Sequence, residues 1–130
     1  MILVDTSVWV SHLRNGNSKF EQLLNDGDVL CHPFIIGELA WGNIKNRIEI
    51  LSLLNALPKA DLLDNEELLL FIERNDLMGK GLGLIDIHLL ASTVLSEAAL
   101  WTLDSKLKHE AHILAGHVLW ILIDNNLSKD

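Results

Sequence analysis

Short apolar segments alternate along the chain with longer segments that have helical periodicity. These short segments are apolar throughout and lack the alternation of polar residues that marks a half-exposed strand. They predict strands at residues 2–4, 29–31, 60–63, 99–103 and 118–123. Strands buried on both faces and separated by helices are typical of a parallel sheet covered by helices on each side. We therefore predict an α/β fold, a three-layer sandwich with a mostly parallel central sheet of about five strands flanked by helices.

Caps and turn residues delimit the helical segments. Ser18 and Glu21 have the spacing of a capping box, as do Asp64 and Glu67. Pro33 stands where a helix favours proline, at its first position. The predicted helices cover residues 6–14, 18–27, 33 to beyond 38, 46–57, 66–77, 84–97 and 105–114. These helices provide the crossover connections that a parallel sheet requires.

Length and composition indicate one folded domain over residues 1–130, of which 125–130 are expected to form a frayed tail. With 49% hydrophobic and 22% charged residues, the chain is too apolar to be a disordered acidic tail. Its apolar runs are far shorter than the ~20 residues that span a bilayer, and its start lacks a signal-peptide pattern. We expect a cytoplasmic protein without a membrane span. The single cysteine, Cys31, has no partner for a disulfide and is expected to be a buried thiol.

The net charge limits the classes of partner. The chain carries 18 Asp and Glu against 10 Lys and Arg, which gives a net charge of −8. Nonspecific binding of nucleic acid depends on cations that displace counterions from phosphates, so a general nucleic-acid coat is disfavoured. A basic protein partner and bound metal cations are both compatible with this acidity.

Four carboxylates are placed where they could meet. Asp5 directly follows the first predicted strand, and Glu38 lies within two turns of the helix after the second. Asp86 falls in the first helical turn after a glycine-rich segment, and Asp104 follows the strand predicted at 99–103. Groups at the carboxyl ends of parallel strands converge on one crevice. The topology therefore predicts a cluster of four acids.

Carboxylates within apolar stretches are costly unless they are paired or bind a metal. Asp5 and Asp86 have no basic partner nearby in the sequence, and like charges raise one another's pKa values. Divalent cations would resolve the repulsion, and an all-oxygen site suits Mg²⁺ or Mn²⁺ better than zinc. An alternative interpretation is that Asp5 and Asp104 are helix caps, which strand-to-helix junctions favour. Helix capping explains a single acid well, but it is a weaker explanation for the placement of all four acids together.

Four sequence blocks carry a family resemblance. They are ILVDTSVW at 2–9, GEL at 37–39, GLIDIHLLA at 83–91 and WTLDSKL at 101–107. In content, order and spacing the chain resembles the PIN-domain family, and within it the VapC-like toxin ribonucleases of bacterial and archaeal toxin–antitoxin pairs. The blocks extend over nearly the whole chain.

The resemblance implies a metal-dependent endoribonuclease that acts as a toxin. It implies one or two Mg²⁺ ions, or Mn²⁺, and hydrolysis by a metal-activated water that leaves a 5′-phosphate and a 3′-hydroxyl. The catalytic and metal-binding positions match Asp5, Glu38, Asp86 and Asp104. Ser7 and Thr102 match hydroxyl positions that orient these acids. Leu103 departs from the pattern, because relatives often have a basic residue there, and this removes one phosphate contact.

The resemblance also implies partners. It implies an RNA substrate, a symmetric homodimer, and a cognate antitoxin whose basic inhibitory segment, ideally with arginine, lies against the acids. Apolar side chains of that segment would pack beside Trp9 or Trp41. Candidate RNA contacts are the cations Arg14, Lys45, Arg47, Lys80 and Lys106.

Several other features have weaker interpretations. His109, His112 and His117 make a zinc site conceivable, but no HExxH pattern is present. His88 lies on a different helical face from Asp86. The glycine-rich segment at 79–83 lacks the spacing of a phosphate-binding loop.

Two further classes of protein remain open. One is a phosphate-handling α/β protein of the receiver or haloacid-dehalogenase type. The pairs of acidic residues that such proteins carry at their first strand are missing here. The other is a noncatalytic interaction module that keeps the fold as a scaffold.

Overall fold

The computed structural model describes residues 1–114. Three strands form one parallel sheet: β1 (Ile2–Val4), β2 (Val29–Leu30) and β3 (Ala99–Trp101). The strand order is β2-β1-β3, so β1 is central. Both residues of β2 and all three of β3 are buried, as expected for strands covered on both faces.

Seven helices lie in the described part of the chain. They are α1 (Thr6–Asn15), α2 (Ser18–Asn25), α3 (Pro33–Trp41), α4 (Arg47–Ala56), α5 (Asn65–Arg74), α6 (Leu84–Leu95) and α7 (Ser105–Leu114). All seven correspond to sequence predictions, and the ends differ by at most three residues. The capping box of Asp64 and Glu67 forms. At Ser18 the cap is instead the preceding Asn17, whose side chain accepts the Phe20 N–H. No helix within residues 1–114 combines the length and apolarity needed to cross a membrane.

The core surrounds the central strand. Leu3 and Val4 are fully buried, and an aromatic cluster covers one end of the sheet. The ring of Phe20 lies 4.5 Å from that of Trp9 and 5.7 Å from that of Trp101, both edge-on, an arrangement that aromatic pairs favour. Trp9 is only 1% exposed. The expectation that Trp9 could contact a partner protein is therefore wrong.

The predicted strand at 60–63 is reduced to a single bridge between Cys31 and Lys59. Cys31 donates to the Pro58 carbonyl and Ala60 donates to the Cys31 carbonyl. The pairing stops there because the next residue that would donate from this side is Pro33, which has no N–H and begins α3. The described sheet therefore has three strands rather than about five. The strand predicted at 118–123 and the tail predicted at 125–130 lie outside the described residues.

Strand β3 ends two residues earlier than the apolar pattern predicts. The N–H of Leu103 donates to the Ser7 hydroxyl, and the N–H of Asp104 donates to the Thr102 hydroxyl. The Ser7 hydroxyl therefore takes the N–H of Leu103, the donor that would have continued the ladder with β1. The chain therefore leaves the sheet beside the end of β1, where the candidate site lies.

Candidate metal centre

Asp5 is the most buried of the four acids, at 7% exposed. It follows β1 and is the N-cap of α1, where its Oδ1 accepts the Thr6 N–H at 2.8 Å. Its Oδ2 accepts two hydroxyl protons, from Ser7 at 2.8 Å and Thr102 at 2.7 Å. Hydrogen bonds to a carboxylate stabilise its charged form and fix its orientation.

The two hydroxyls also join Asp5 to the chain around Asp104. Ser7 Oγ accepts the N–H of Leu103 at 3.1 Å, and Thr102 Oγ1 accepts that of Asp104 at 3.1 Å. Each hydroxyl therefore donates to Asp5 while holding the loop that carries Asp104. This places Ser7 and Thr102 where the family resemblance implies.

Glu38 is exposed on α3 and is held by a residue that the sequence did not single out. The hydroxyl of Thr6, in the first turn of α1, donates to Glu38 Oε1 at 2.7 Å. In the sequence, the one hint of this role is that the threonine directly follows the candidate acid Asp5. The bond fixes one acid-bearing helix against the other.

Three of the four acids also cap helices. Besides Asp5, Asp104 caps α7, because its Oδ1 accepts the N–H groups of Lys106 at 2.9 Å and Leu107 at 3.1 Å. Asp86 accepts the N–H of Gly83 at 3.2 Å, at the start of α6. The capping interpretation of Asp5 and Asp104 is therefore correct as a local description. It does not preclude a metal-binding role, because a carboxylate has about four acceptor positions.

The pKa of Asp86 shows that the other three acids lie close to it. Its pKa is raised, mainly by burial and then by the charges of Asp5, Asp104 and Glu38, while the hydrogen bond from Gly83 opposes the shift. The charges of three carboxylates therefore act on Asp86 at the carboxyl edge of the sheet. A divalent cation there would offset both the burial and the repulsion.

The donor chemistry fits a hard cation. All four groups are carboxylates, the ligand type that suits Mg²⁺ and Mn²⁺. Within residues 1–114, no three His, Cys, Asp or Glu side chains form a ready-made ligand cluster. Mg²⁺ is usually held by one or two carboxylates together with substrate phosphates, rather than by an all-protein cage. An ion held by these carboxylates would therefore keep several water ligands, which a substrate phosphate could replace.

The candidate RNA contacts lie on both sides of the acids. Arg14 and Lys45 line a cavity of about 510 Å³ that Glu38 also lines. Lys106 lies beside the loop before α6, since a Cβ placed on Gly81 would be 3.3 Å from its Nζ. All five candidate RNA-binding cations have exposed side chains: Arg14, Lys45, Arg47, Lys80 and Lys106.

A second cavity, of about 660 Å³, adjoins the acids between α3 and α6. We call it the aromatic groove and define it by Phe34, Gly37, Trp41, Leu84, Ile85 and His88. Thr6 and Glu38 line it as well, so it is continuous with the candidate metal centre. His88 belongs to this groove, consistent with its predicted position on a different face from Asp86.

His32 is a buried residue that holds α3 in place. It is 2% exposed and is the N-cap of α3, where its Nδ1 accepts the Phe34 N–H at 3.0 Å. Burial, with a smaller contribution from His88, lowers the pKa of His32 to about 4. The imidazole is therefore neutral at pH 7, as an Nδ1 acceptor requires. In the sequence, this role is indicated only by the proline that follows His32.

The conceivable zinc site has no support in the described residues. His109 is exposed and His112 half-buried on α7, and no cluster of three ligands forms within residues 1–114. His117 lies outside the described residues.

Comparisons with known proteins agree with this architecture. A family model described as the PIN domain matches residues 2–113. Ribonuclease VapC32 from two strains of Mycobacterium tuberculosis is 46% identical to this chain over 109 residues, which cover 83% of this chain and 88% of the relative. The crystal structure of PAE2754 from Pyrobaculum aerophilum superposes with a TM-score of 0.60 and 15% identity, covering 95% of this chain and 89% of that one. At that identity the superposition supports the fold alone.

Proposed function

Because the chain belongs to the PIN-domain family and is VapC-like, we propose that it is a metal-dependent endoribonuclease and the toxin of a toxin–antitoxin pair. The observation that carries the proposal is that Asp86, whose pKa is raised mainly by burial, is also close enough to Asp5, Glu38 and Asp104 for their charges to act on it at one edge of the sheet. Family membership also removes the receiver and haloacid-dehalogenase alternatives, which belong to other families.

The proposed reaction is hydrolysis of an RNA phosphodiester by water, and no side chain acts as a nucleophile. Mg²⁺ or Mn²⁺, as one or two ions held by Asp5, Glu38, Asp86 and Asp104, supplies Lewis acidity that makes water nucleophilic and stabilises charge on the phosphate. The protein's contribution is to bring these carboxylates together and to orient them.

Three hydroxyls perform that positioning. Ser7 and Thr102 hold Asp5 Oδ2 from two sides, and Thr6 holds Glu38 Oε1. Partners of this kind fix the orientation of a ligand before the ion arrives, and their loss typically lowers metal affinity or activity about 10- to 100-fold. We assign these three residues supporting roles in the site.

The acidic surface suits a basic inhibitor. A cytoplasmic antitoxin with an arginine-containing segment would pair with the exposed carboxylates, since a guanidinium binds a carboxylate through two parallel hydrogen bonds. We also propose that the toxin is a homodimer, as the family resemblance implies.

RNA cleavage tests the enzymatic proposal. Purified protein is expected to cut single-stranded RNA in Mg²⁺ or Mn²⁺, to lose activity in chelator, and to leave 5′-phosphate ends. Asp5→Asn is expected to abolish cleavage while the circular dichroism spectrum stays that of a folded protein. Full activity of Asp5→Asn, or cleavage that persists in chelator, would refute the proposed site.

Expression in the host tests the toxin role separately. Production of the chain without its antitoxin should arrest growth, and the Asp5→Asn variant should not. A chain that cuts RNA yet is harmless when well expressed would contradict the toxin role alone. A folded chain that binds its partner but never cleaves RNA would favour a noncatalytic interaction module instead.

A further inference from the structure

The proposed reaction gives the aromatic groove no role, although its most exposed side chain is a tryptophan. Phe34, Gly37, Glu38 and Trp41 stand at positions i, i+3, i+4 and i+7 along α3, so they share a face. Trp41 is 93% exposed and Phe34 is 41% exposed. A contiguous apolar surface rimmed by polar residues is typical of a binding site.

The opposite wall of the groove comes from α6, the helix that carries Asp86. Leu84 is 63% exposed, and Ile85 and His88 are partly exposed beside it. The His88 ring lies 4.7 Å from that of Phe34, nearly perpendicular to it at 83°. The cavity of about 660 Å³ is within the usual range of sites for small planar molecules.

The charge of the groove excludes a phosphate and admits a neutral group. Among the described residues that line it, Glu38 is the only Asp, Glu, Lys or Arg. The groove lies along α3, which follows β2 on one side of β1, whereas Lys106 lies on α7, which follows β3 on the other side of β1. A nucleotide chain crossing this edge of the sheet would therefore find a cation on one side of the acids and aromatic rings on the other.

From this arrangement we infer that the aromatic groove binds one unpaired base of a single-stranded RNA, next to the phosphate that faces the four acids. Aromatic side chains bind bases by stacking, which tolerates any sequence because every base has a π-face. The inference rests on the proposed ribonuclease function for the position of that phosphate. A base held here would select unpaired RNA, because a paired base cannot leave its helix without cost.

Gly37 keeps space open between the two aromatic residues of α3. A Cβ added there would meet nothing within 4 Å, and glycine inside a helix is less stable than alanine by roughly 0.5–1 kcal/mol. A side chain at this position would therefore begin in open space on the lining of the groove, and leucine is a better helix former than glycine. Gly37→Leu is expected to block the groove, and its melting temperature checks that it folds.

Binding of a short single-stranded RNA that carries the fluorescent base 2-aminopurine tests the inference. The dissociation constant is measured in Ca²⁺, a divalent cation that also takes oxygen ligands. Trp41→Ala is expected to weaken binding about 5- to 150-fold, the usual effect of losing one stacking residue, and to abolish quenching of the probe. Gly37→Leu should weaken binding comparably with an unchanged melting temperature or a higher one. Trp41→Phe should retain most of the affinity.

Two controls make the result specific. Ile48→Ala removes another exposed apolar side chain, 83% exposed on α4 and outside the groove, and should leave binding unchanged. The same RNA annealed to its complement should bind without dependence on Trp41. Unchanged affinity of Trp41→Ala and Gly37→Leu for the single strand would overturn the inference, as would wild-type protein that does not bind it.

The outcomes separate the inference from the function on which it rests. Normal RNA cleavage with unchanged affinity in both groove variants would refute the base site alone. No cleavage by wild type, together with binding that depends on Trp41, would refute the ribonuclease and retain the base site. If the groove instead receives a partner protein, the two variants should lose binding of an amphipathic basic peptide and keep their affinity for RNA, which also overturns the inference.

Discussion

At the scale of single residues, Asp5 serves the fold and the candidate site at once. It caps α1 through Oδ1 and receives two hydroxyl hydrogen bonds at Oδ2. The sequence revealed Asp5 because a carboxylate after an apolar strand is unusual. It did not reveal the link between Thr6 and Glu38, because that bond joins residues 32 positions apart. Such contacts depend on how helices pack and leave no local pattern.

The hydroxyl of Thr102 offers a test at this scale. Thr102→Val keeps the shape of a side chain that is 2% exposed but removes its bonds to Asp5 and the N–H of Asp104. We expect a loss of about 1–3 kcal/mol in the free energy of unfolding and a fall in RNA cleavage of about 10- to 100-fold. Chemical denaturation and cleavage rates measure the two effects.

Thr93→Val is the matched control for Thr102→Val. Thr93 is equally buried, at 1% exposed, but its hydroxyl donates to the Leu89 carbonyl within α6. Its replacement should alter stability and leave the cleavage rate per folded molecule unchanged. Equal losses of cleavage in the two variants would mean that Thr102 acts through general stability rather than through Asp5.

At the scale of elements, helix positions were more predictable than strand ends. Helical periodicity and caps extend over many residues, so α7 is found with the predicted bounds. The strands are two or three residues long, and side chains decide where they stop. Ser7 ends the pairing beyond β3 by binding the N–H of Leu103, and Pro33, which has no N–H, ends it beyond the Cys31–Lys59 bridge. A pattern of apolar residues alone cannot show where backbone donors are taken or missing.

Helix α3 carries both Glu38 and the aromatic groove, and its cap gives an element-scale prediction. His32 has a pKa of about 4 in the folded protein, against 6.5 as its ordinary value. Between these values the unfolded chain binds more protons than the folded one, so stability falls as the pH falls from 6.5 to 4. We expect His32 to contribute a loss of up to about 1.4 kcal/mol per pH unit, measured by denaturation across this range.

His32→Asn should remove this part of the pH dependence. Asparagine can still cap the helix, so α3 is expected to form, and the loss of packing is measured separately at pH 7.5. His88, whose pKa is also lowered by burial, remains in both proteins and cancels in the comparison. The same dependence on pH in wild type and variant would show that His32 is not the titrating group.

At the scale of the whole molecule, the net charge of −8 has a specific consequence. Part of this charge lies at the carboxyl edge of the sheet, where burial, and then the charges of three acidic neighbours, raise the pKa of Asp86. The convergence of these four acids could be predicted because parallel strands end at the same edge. The aromatic groove could not, because it depends on which faces of α3 and α6 point to each other. The sequence indicated only that Trp41 was a candidate contact for the antitoxin.

The most direct test of the account is calorimetric titration of Mn²⁺ into wild type and into Asp5→Asn, Glu38→Gln, Asp86→Asn and Asp104→Asn. Before metal is added, Asp86→Asn should be at least as stable as wild type at neutral pH, because it removes a carboxylate whose ionisation the fold disfavours. If the four acids form one site, wild type binds Mn²⁺ and each folded variant binds it more weakly. Mn²⁺ affinity that is the same in wild type and in all four variants would contradict the account.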